Sequence, residues 1–141
     1  MHRSLIRACL FAALLPLAVF GADFQTPAIS PDELHERLQN EPTLLVVDVR
    51  SPVEFRVGHV PGAINLPASE IVEHLDAVTG RSGVVLYCIA GTRTQLAEQT
   101  LLVHEVPGVL HLQGGLTGWL DKGFPVEKGP GAKLAHSAGA H

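Results

Sequence analysis

Apolar positions along the chain fall into short clusters separated by proline, glycine and acidic residues. Ser30-Pro31-Asp32-Glu33 has the layout of a helix start: a serine cap, proline at the first helical position and glutamate three residues after the cap. Leu34 and Leu38 then share one face, which predicts a helix ending near Asn40. Thr43 to Val49 is a nearly continuous apolar run, the pattern of a strand buried on both faces of a parallel sheet. Ser51-Pro52-Val53-Glu54 repeats the cap, proline and glutamate pattern and predicts a short helix over 52–57, closed by Gly58. Ala63 to Leu66 reads as a brief strand. Pro67 to Ala77 reads as a helix with Ile71 and Leu75 inward. Val84 to Tyr87 reads as a second central strand, and Thr94 to Val103 as a helix carrying Leu96, Leu101 and Leu102. Val109 to Leu112 completes the strands, and Leu116 to Lys122 is a short closing helix. Strands alternating with helices give an α/β class with a mainly parallel sheet. Catalytic groups in such sheets lie beyond the carboxyl ends of the strands, and Cys88 stands there, directly after Val84-Val85-Leu86-Tyr87.

The first 22 residues differ from the rest. Arg3 and Arg7 precede a thirteen-residue apolar stretch, Ala8 to Phe20, which is followed by Gly21, Ala22 and the polar Asp23. This is the layout of an export signal peptide, and the stretch is short against the roughly 20 residues of a membrane-spanning helix. The alternatives are an uncleaved anchor or a buried N-terminal helix. Removal of residues 1–22 takes Cys9 away and leaves Cys88 as the only cysteine. The remainder, with eight Lys and Arg against fourteen Asp and Glu, is expected to be soluble and periplasmic or secreted, free of the membrane after signal removal. A lone cysteine in an oxidising compartment cannot form an internal disulfide. The basic residues are scattered and make no footprint for nucleic acid. With 141 residues the chain holds one domain, over about 26–128, and the Gly- and Ala-rich segment 129–141 is expected to be a disordered tail.

The segment Cys88-Ile89-Ala90-Gly91-Thr92-Arg93 joins a buried strand to a helix. Successive backbone N–H groups in such a turn can converge on one point, and the helix start adds its own free N–H groups and positive dipole end. A thiol at the centre of that nest favours its thiolate. Gly91 permits backbone angles that larger residues resist, and Arg93 offers a guanidinium fork to an oxyanion. The alternative is a buried structural cysteine at a strand end.

Three motifs resemble the rhodanese (sulfurtransferase) family. The run from Asp48-Val49-Arg50 through Gly58-His59-Val60-Pro61-Gly62-Ala63 to Leu66-Pro67 looks like its first signature, and Cys88 to Arg93 resembles its six-residue active-site loop. Gly114-Gly115-Leu116-Thr117-Gly118-Trp119 with Gly123-Phe124-Pro125-Val126 resembles its closing signature. The exported single-domain form is similar to the small periplasmic rhodaneses. The resemblance implies a five-stranded, mainly parallel sheet with helices on both faces. It implies a Cys88 persulfide in turnover, with a donor such as thiosulfate and a thiol or cyanide as acceptor. Residues 89–93, namely Ile89, Ala90, Gly91, Thr92 and Arg93, would bind substrate, without metal or organic cofactor.

Asp48 and Arg50 end the first central strand on the same side as Cys88. They read either as a brace for the loop or as members of an ordinary ion pair, such as Arg50 with Glu54. His59 reads as a turn-stabilising histidine and Trp119 as core near the loop. No histidine has metal-ligand spacing, including His136 and His141 of the tail. Three competing functions differ in what they require. A cysteine phosphatase needs five residues between cysteine and arginine, and only four intervene here. A persulfide carrier or binding module needs no turnover. A disulfide oxidoreductase needs a second thiol.

Overall fold

The structure is a computed structural model that describes residues 25–133. Residues 1–22, the expected export signal with Cys9, and the tail histidines His136 and His141 lie outside the described residues. Five strands form one sheet: β1 (Ala28–Ile29), β2 (Leu44–Asp48), β3 (Ile64–Asn65), β4 (Gly83–Tyr87) and β5 (Val109–Leu112), in the order β1-β5-β4-β2-β3. Every pairing is parallel. The helices are α1 (Pro31–Asn40), α2 (Pro52–Val57), α3 (Leu75–Val78), α4 (Thr92–Val103) and α5 (Gly115–Asp121), with a 3-10 turn over Ile71–His74 before α3.

The capping signals act as the sequence predicts. Ser30 Oγ accepts from the Glu33 N–H at the start of α1. At α2, Ser51 accepts from the Glu54 N–H while the Glu54 carboxylate accepts from the Ser51 N–H, a complete capping box worth about 1 kcal/mol. The helix expected over Pro67–Ala77 is instead a turn at 67–70, the 3-10 segment and one short turn of α3. Ile71 is buried there as expected, and Leu75 packs against the core from a half-buried position. In α4, Leu101 is buried, whereas Leu96 is 56% exposed.

The two-residue alternation of β2 and β4 sorts the core into two layers. Leu45, Val47, Val84 and Leu86 face Ala97 and Leu101 of α4, and Cys88 continues this row. Leu44, Val46, Val85 and Tyr87 face Leu34, Phe55, Leu116 and Trp119 on the other side. Full burial of a Val or Leu side chain contributes about 1.5–3 kcal/mol, so these rows hold both helical layers to the sheet. Alternation therefore delivers the cysteine to the layer of α4, at the end where that helix begins.

β1 carries no hydrophobic run. It is held by the His111 N–H to Pro27 O and the Gln113 N–H to Ile29 O, and by burial of Ile29. The start of the expected tail is anchored: the Gly129 N–H donates to Arg56 O and the Ala132 N–H to Ala63 O.

Asp48 and Arg50 form a buried pair. Arg50 Nη2 lies 2.6 Å from Asp48 Oδ2 and also donates to Gly58 O at 2.7 Å. The Arg50 N–H and Nε–H donate to the same carboxylate. Arg50 therefore pairs with Asp48 and not with Glu54, because the two side chains leave the strand end together while Glu54 is carried away on α2. Burial opposes the Arg50 charge, yet the hydrogen-bonded carboxylate of Asp48 keeps its pKa raised. Removing one member of such a pair strands the other charge in the interior. Asp48→Ala is predicted to cost about 3 kcal/mol of stability in urea unfolding, and a loss below about 1 kcal/mol would show that the pair does not anchor the strand end.

Candidate active site

Cys88 is 1% exposed. Its sulfur accepts the Gly91 N–H at 2.9 Å, and Gly91 has φ +120°, the conformation that favours glycine. Turning the chain this way closes the loop on the sulfur and makes Gly91 the N-cap of α4. The helix starts at Thr92, two residues before the predicted start, so Thr92, Arg93 and Thr94 occupy its first turn.

The loop is held from outside by α5. The Leu116 N–H donates to Cys88 O at 2.9 Å, and the Thr117 N–H and hydroxyl donate to Ile89 O at 3.2 and 3.1 Å. These contacts need a helix start with no side chain. A Cβ on Gly115 would stand 2.5 Å from Cys88 O and 2.7 Å from Ile89 O. Of the glycine pair of the closing motif, Gly115 is thus required by its contact with the cysteine loop, whereas Gly114 abuts the backbone of Gly118.

Two effects compete over the thiol. Burial pushes its pKa up. The Thr94 hydroxyl and the N–H groups of Gly91, Ala90 and Thr94 favour the anion and win, so Cys88 lies below the ordinary thiol value. Thr94 is 3% exposed, and its Oγ is buried with no hydrogen-bond partner of its own, which leaves it available to the sulfur. Its role was hidden in the sequence behind its apparent place as a helix start.

Arg93 is paired with a neighbouring helix. Its Nη1 and Nη2 lie 2.7 and 2.8 Å from Glu54 Oε2 and Oε1, so the guanidinium fork is closed on a carboxylate of α2. The Arg93 side chain is 41% exposed, at the mouth of the loop rather than inside it. Glu54 was marked by the sequence as a helix-capping residue but not as the partner of Arg93. It caps α2 and clamps Arg93 with the same carboxylate, and Arg93 with Ser51 holds its pKa down to about 2. Ile89, Ala90 and Thr92 are exposed on the loop, and Gly91 is half-buried.

Asp48 and Arg50 make no hydrogen bond to residues 89–93. They brace the neighbouring strand ends, and Arg50 lies 6.0 Å from the centre of the Tyr87 ring, the residue before the cysteine. His59 is buried, with Nδ1 2.8 Å from Phe55 O and its ring stacked on Phe55, in the turn-holding role expected. Trp119 is core, but in the layer opposite Cys88. Among the described residues, no three His, Cys, Asp or Glu side chains group to hold a metal ion.

A cleft of about 710 Å³ opens along the flank of the loop, lined there by Ala90, Gly91, Thr92 and Thr94. The site is thus a buried, anion-favouring thiol with a clamped arginine on one side and a polar cleft on the other.

The profile of the Rhodanese-like domain matches residues 30–122. An uncharacterized protein of Synechocystis is 35% identical over 108 residues, covering 76% of this chain and 59% of that protein. The chain therefore spans little more than half of that relative. A protein named sulfurtransferase from Allochromatium vinosum is 33% identical over 98 residues, covering 70% of this chain and 92% of that one. Among solved structures, thiosulfate sulfurtransferase from Pseudomonas aeruginosa superposes with a TM-score of 0.70 at 26% identity, over 78% of this chain and 22% of that one.

Two predictions follow from the electrostatics. In fully reduced protein, the alkylation rate of Cys88 should inflect below the free-thiol value. Thr94→Val should move that inflection upward, and more than Arg93→Gln does; a Thr94→Val profile identical to wild type would remove the hydroxyl from the account. For Glu54, the folded pKa of about 2 lies below the ordinary 4.5, so its contribution to stability is complete above 4.5 and is lost as pH falls toward 2. The stability advantage of wild type over Arg93→Gln should shrink across that window in denaturant titrations. An advantage independent of pH would mean that the clamp is not an ion pair in solution.

Proposed function

The chain belongs to the Rhodanese-like domain family, and on that footing we propose that it is a sulfurtransferase that moves a sulfane sulfur from thiosulfate or a similar donor to a thiophilic acceptor. The observation that carries this reading is the closure of the loop on a single sulfur atom, with the Gly91 N–H 2.9 Å from Cys88 Sγ. In the first half-reaction the Cys88 thiolate attacks the sulfane sulfur of thiosulfate. The sulfur–sulfur bond of the donor breaks and its electron pair leaves with sulfite. Cys88 then carries a persulfide, and the amides that favour its thiolate also favour the persulfide anion. In the second half-reaction a thiolate or cyanide attacks the outer sulfur, and the electron pair of the breaking bond returns to Cys88 Sγ.

The arginine supports a specific division of labour. With its fork closed on Glu54, Arg93 belongs to a neutralised pair at the mouth, so the loop amides and the Thr94 hydroxyl are what hold negative charge at the sulfur. A phosphatase reading fits less well, because such an enzyme needs five residues between cysteine and arginine, and only four, Ile89 to Thr92, intervene here. A persulfide carrier that delivers sulfur only to a protein partner uses the same site. Under the proposed export signal at residues 1–22, the reaction takes place beyond the inner membrane.

Steady-state kinetics separate these readings. Thiosulfate with cyanide or a small thiol should give ping-pong turnover, and Cys88→Ser should lower it by on the order of a thousandfold or more while unfolding as wild type does. Turnover retained in Cys88→Ser would overturn the proposed nucleophile. Loading of Cys88 without turnover on any small acceptor would assign the chain as a carrier.

A further inference from the structure

The cleft beside the loop has a chemistry of its own. Beyond Thr94 it is lined by Gln95, Glu98, Gln99, His111 and Gln113, and of all its lining residues only Glu98 and His111 carry titratable side chains. Glu98 is 6% exposed, at a depth where carboxylates are normally paired. Among the described residues, no Lys or Arg lies within 4.0 Å of it. The nearest base is His111, with Nδ1 3.7 Å from Glu98 Oε1, beyond hydrogen-bond distance. That Nδ1 stands 3.1 Å from the Thr26 hydroxyl instead. The floor of the cleft is therefore a carboxylate without a fixed cation, among neutral amides.

Helix geometry sets this carboxylate relative to the sulfur. Thr94 and Glu98 are four residues apart on α4, one turn and about 6 Å along the axis, on the same face. Helical side chains lean toward the N-terminus, which brings the Glu98 carboxylate toward the loop. An anionic donor is disfavoured in such a cleft, and the positive charge of Arg93 does not line it. A cation is favoured there, beside the loop residues Ala90 to Thr94 that enclose the sulfur.

Resting on the reading of the chain as a sulfurtransferase that turns over through a Cys88 persulfide, we propose that this cleft binds the sulfur acceptor and that Glu98 selects acceptors bearing an ammonium group close to their thiol, so that small aminothiols are the favoured class. The acceptor thiolate attacks the outer sulfur of the Cys88 persulfide, the bond between the two sulfurs breaks, its electron pair stays on Cys88 Sγ, and the aminothiol leaves as its own persulfide. The ammonium, held by Glu98, takes no part in bond making. Glu98 is a specificity-determining residue in this scheme.

The test compares cysteamine, 2-mercaptoethanol and 3-mercaptopropionate, which carry positive, neutral and negative groups at similar distance from the thiol. Each is the acceptor for wild type and Glu98→Gln, with thiosulfate as donor. Wild-type to variant ratios at one pH cancel the intrinsic reactivity of each thiol, and ratios between acceptors within one preparation do not depend on how much of it is folded. Glu98→Gln should lower kcat/KM for cysteamine about tenfold relative to 2-mercaptoethanol, the scale of one charge-assisted hydrogen bond, and should raise it for 3-mercaptopropionate. Equal changes for all three acceptors, or none, would overturn the role of Glu98 while leaving sulfur transfer intact. Failure of wild type to load sulfur from thiosulfate would instead strike the underlying reading of Cys88.

Discussion

The loop around Cys88 depends on which way two peptide units face. A trans peptide places its carbonyl and the following N–H on opposite sides. Turning the Ile89 carbonyl outward onto Thr117 therefore turns the Ala90 N–H inward, toward the thiol. The Cys88 carbonyl is likewise turned away from the thiol and taken by the Leu116 N–H. Helix α5 thus acts on the sulfur without touching it: its free N–H groups hold the carbonyls that would otherwise point at the developing anion. The arrangement works only if the two segments meet backbone to backbone, which is why Gly115 stands at the contact. A side chain there would push the loop off its donors and leave a buried thiol opposed by desolvation alone.

The charged residues around this loop divide into two devices of different kind. Asp48 and Arg50 are buried together, share several hydrogen bonds, and fix the ends of β2 and the turn at Gly58. Their exchange with solvent is closed, so they serve architecture. Glu54 and Arg93 are both more than a third exposed and join the start of α2 to the start of α4. Their interaction is partly screened by water, so its contribution to stability is modest and confined to pH values at which Glu54 is ionised. What it does is hold a guanidinium at the mouth in one orientation. The sulfur itself is served by neutral groups, three amides and the Thr94 hydroxyl, which suits the alternation between thiolate and persulfide that the proposed reaction requires.

Most of the fold was legible because its signals are local. Ser30 and Ser51 cap helices through bonds to residues three positions on, and prolines follow both. The valine and leucine runs of β2 and β4 could only be central strands. β1 escaped notice because two residues, Ala28 and Ile29, cannot make a periodic pattern; their place is set by β5, more than eighty residues away. The start of α4 was misjudged because its cap is Gly91 with a positive φ, and no serine, threonine or aspartate marks it. At the site, Cys88 and Gly91 were readable from the strand–loop–helix pattern. The Arg93–Glu54 clamp was not, since the partners are 39 residues apart and Glu54 already had a complete local role in its capping box. Thr94 was not, because only the packed structure shows that its hydroxyl has no other partner.

The account stands on Cys88 holding a sulfur atom in a loop built for one. Intact mass measured on the folded protein after exposure to thiosulfate, and again after a reductant, tests that claim directly. The account predicts a gain of one sulfur, about 32 Da, that is removed by the reductant and absent in Cys88→Ser. An unchanged mass with thiosulfate and with polysulfide donors alike, in protein whose Cys88 still reacts with an alkylating agent, would contradict it.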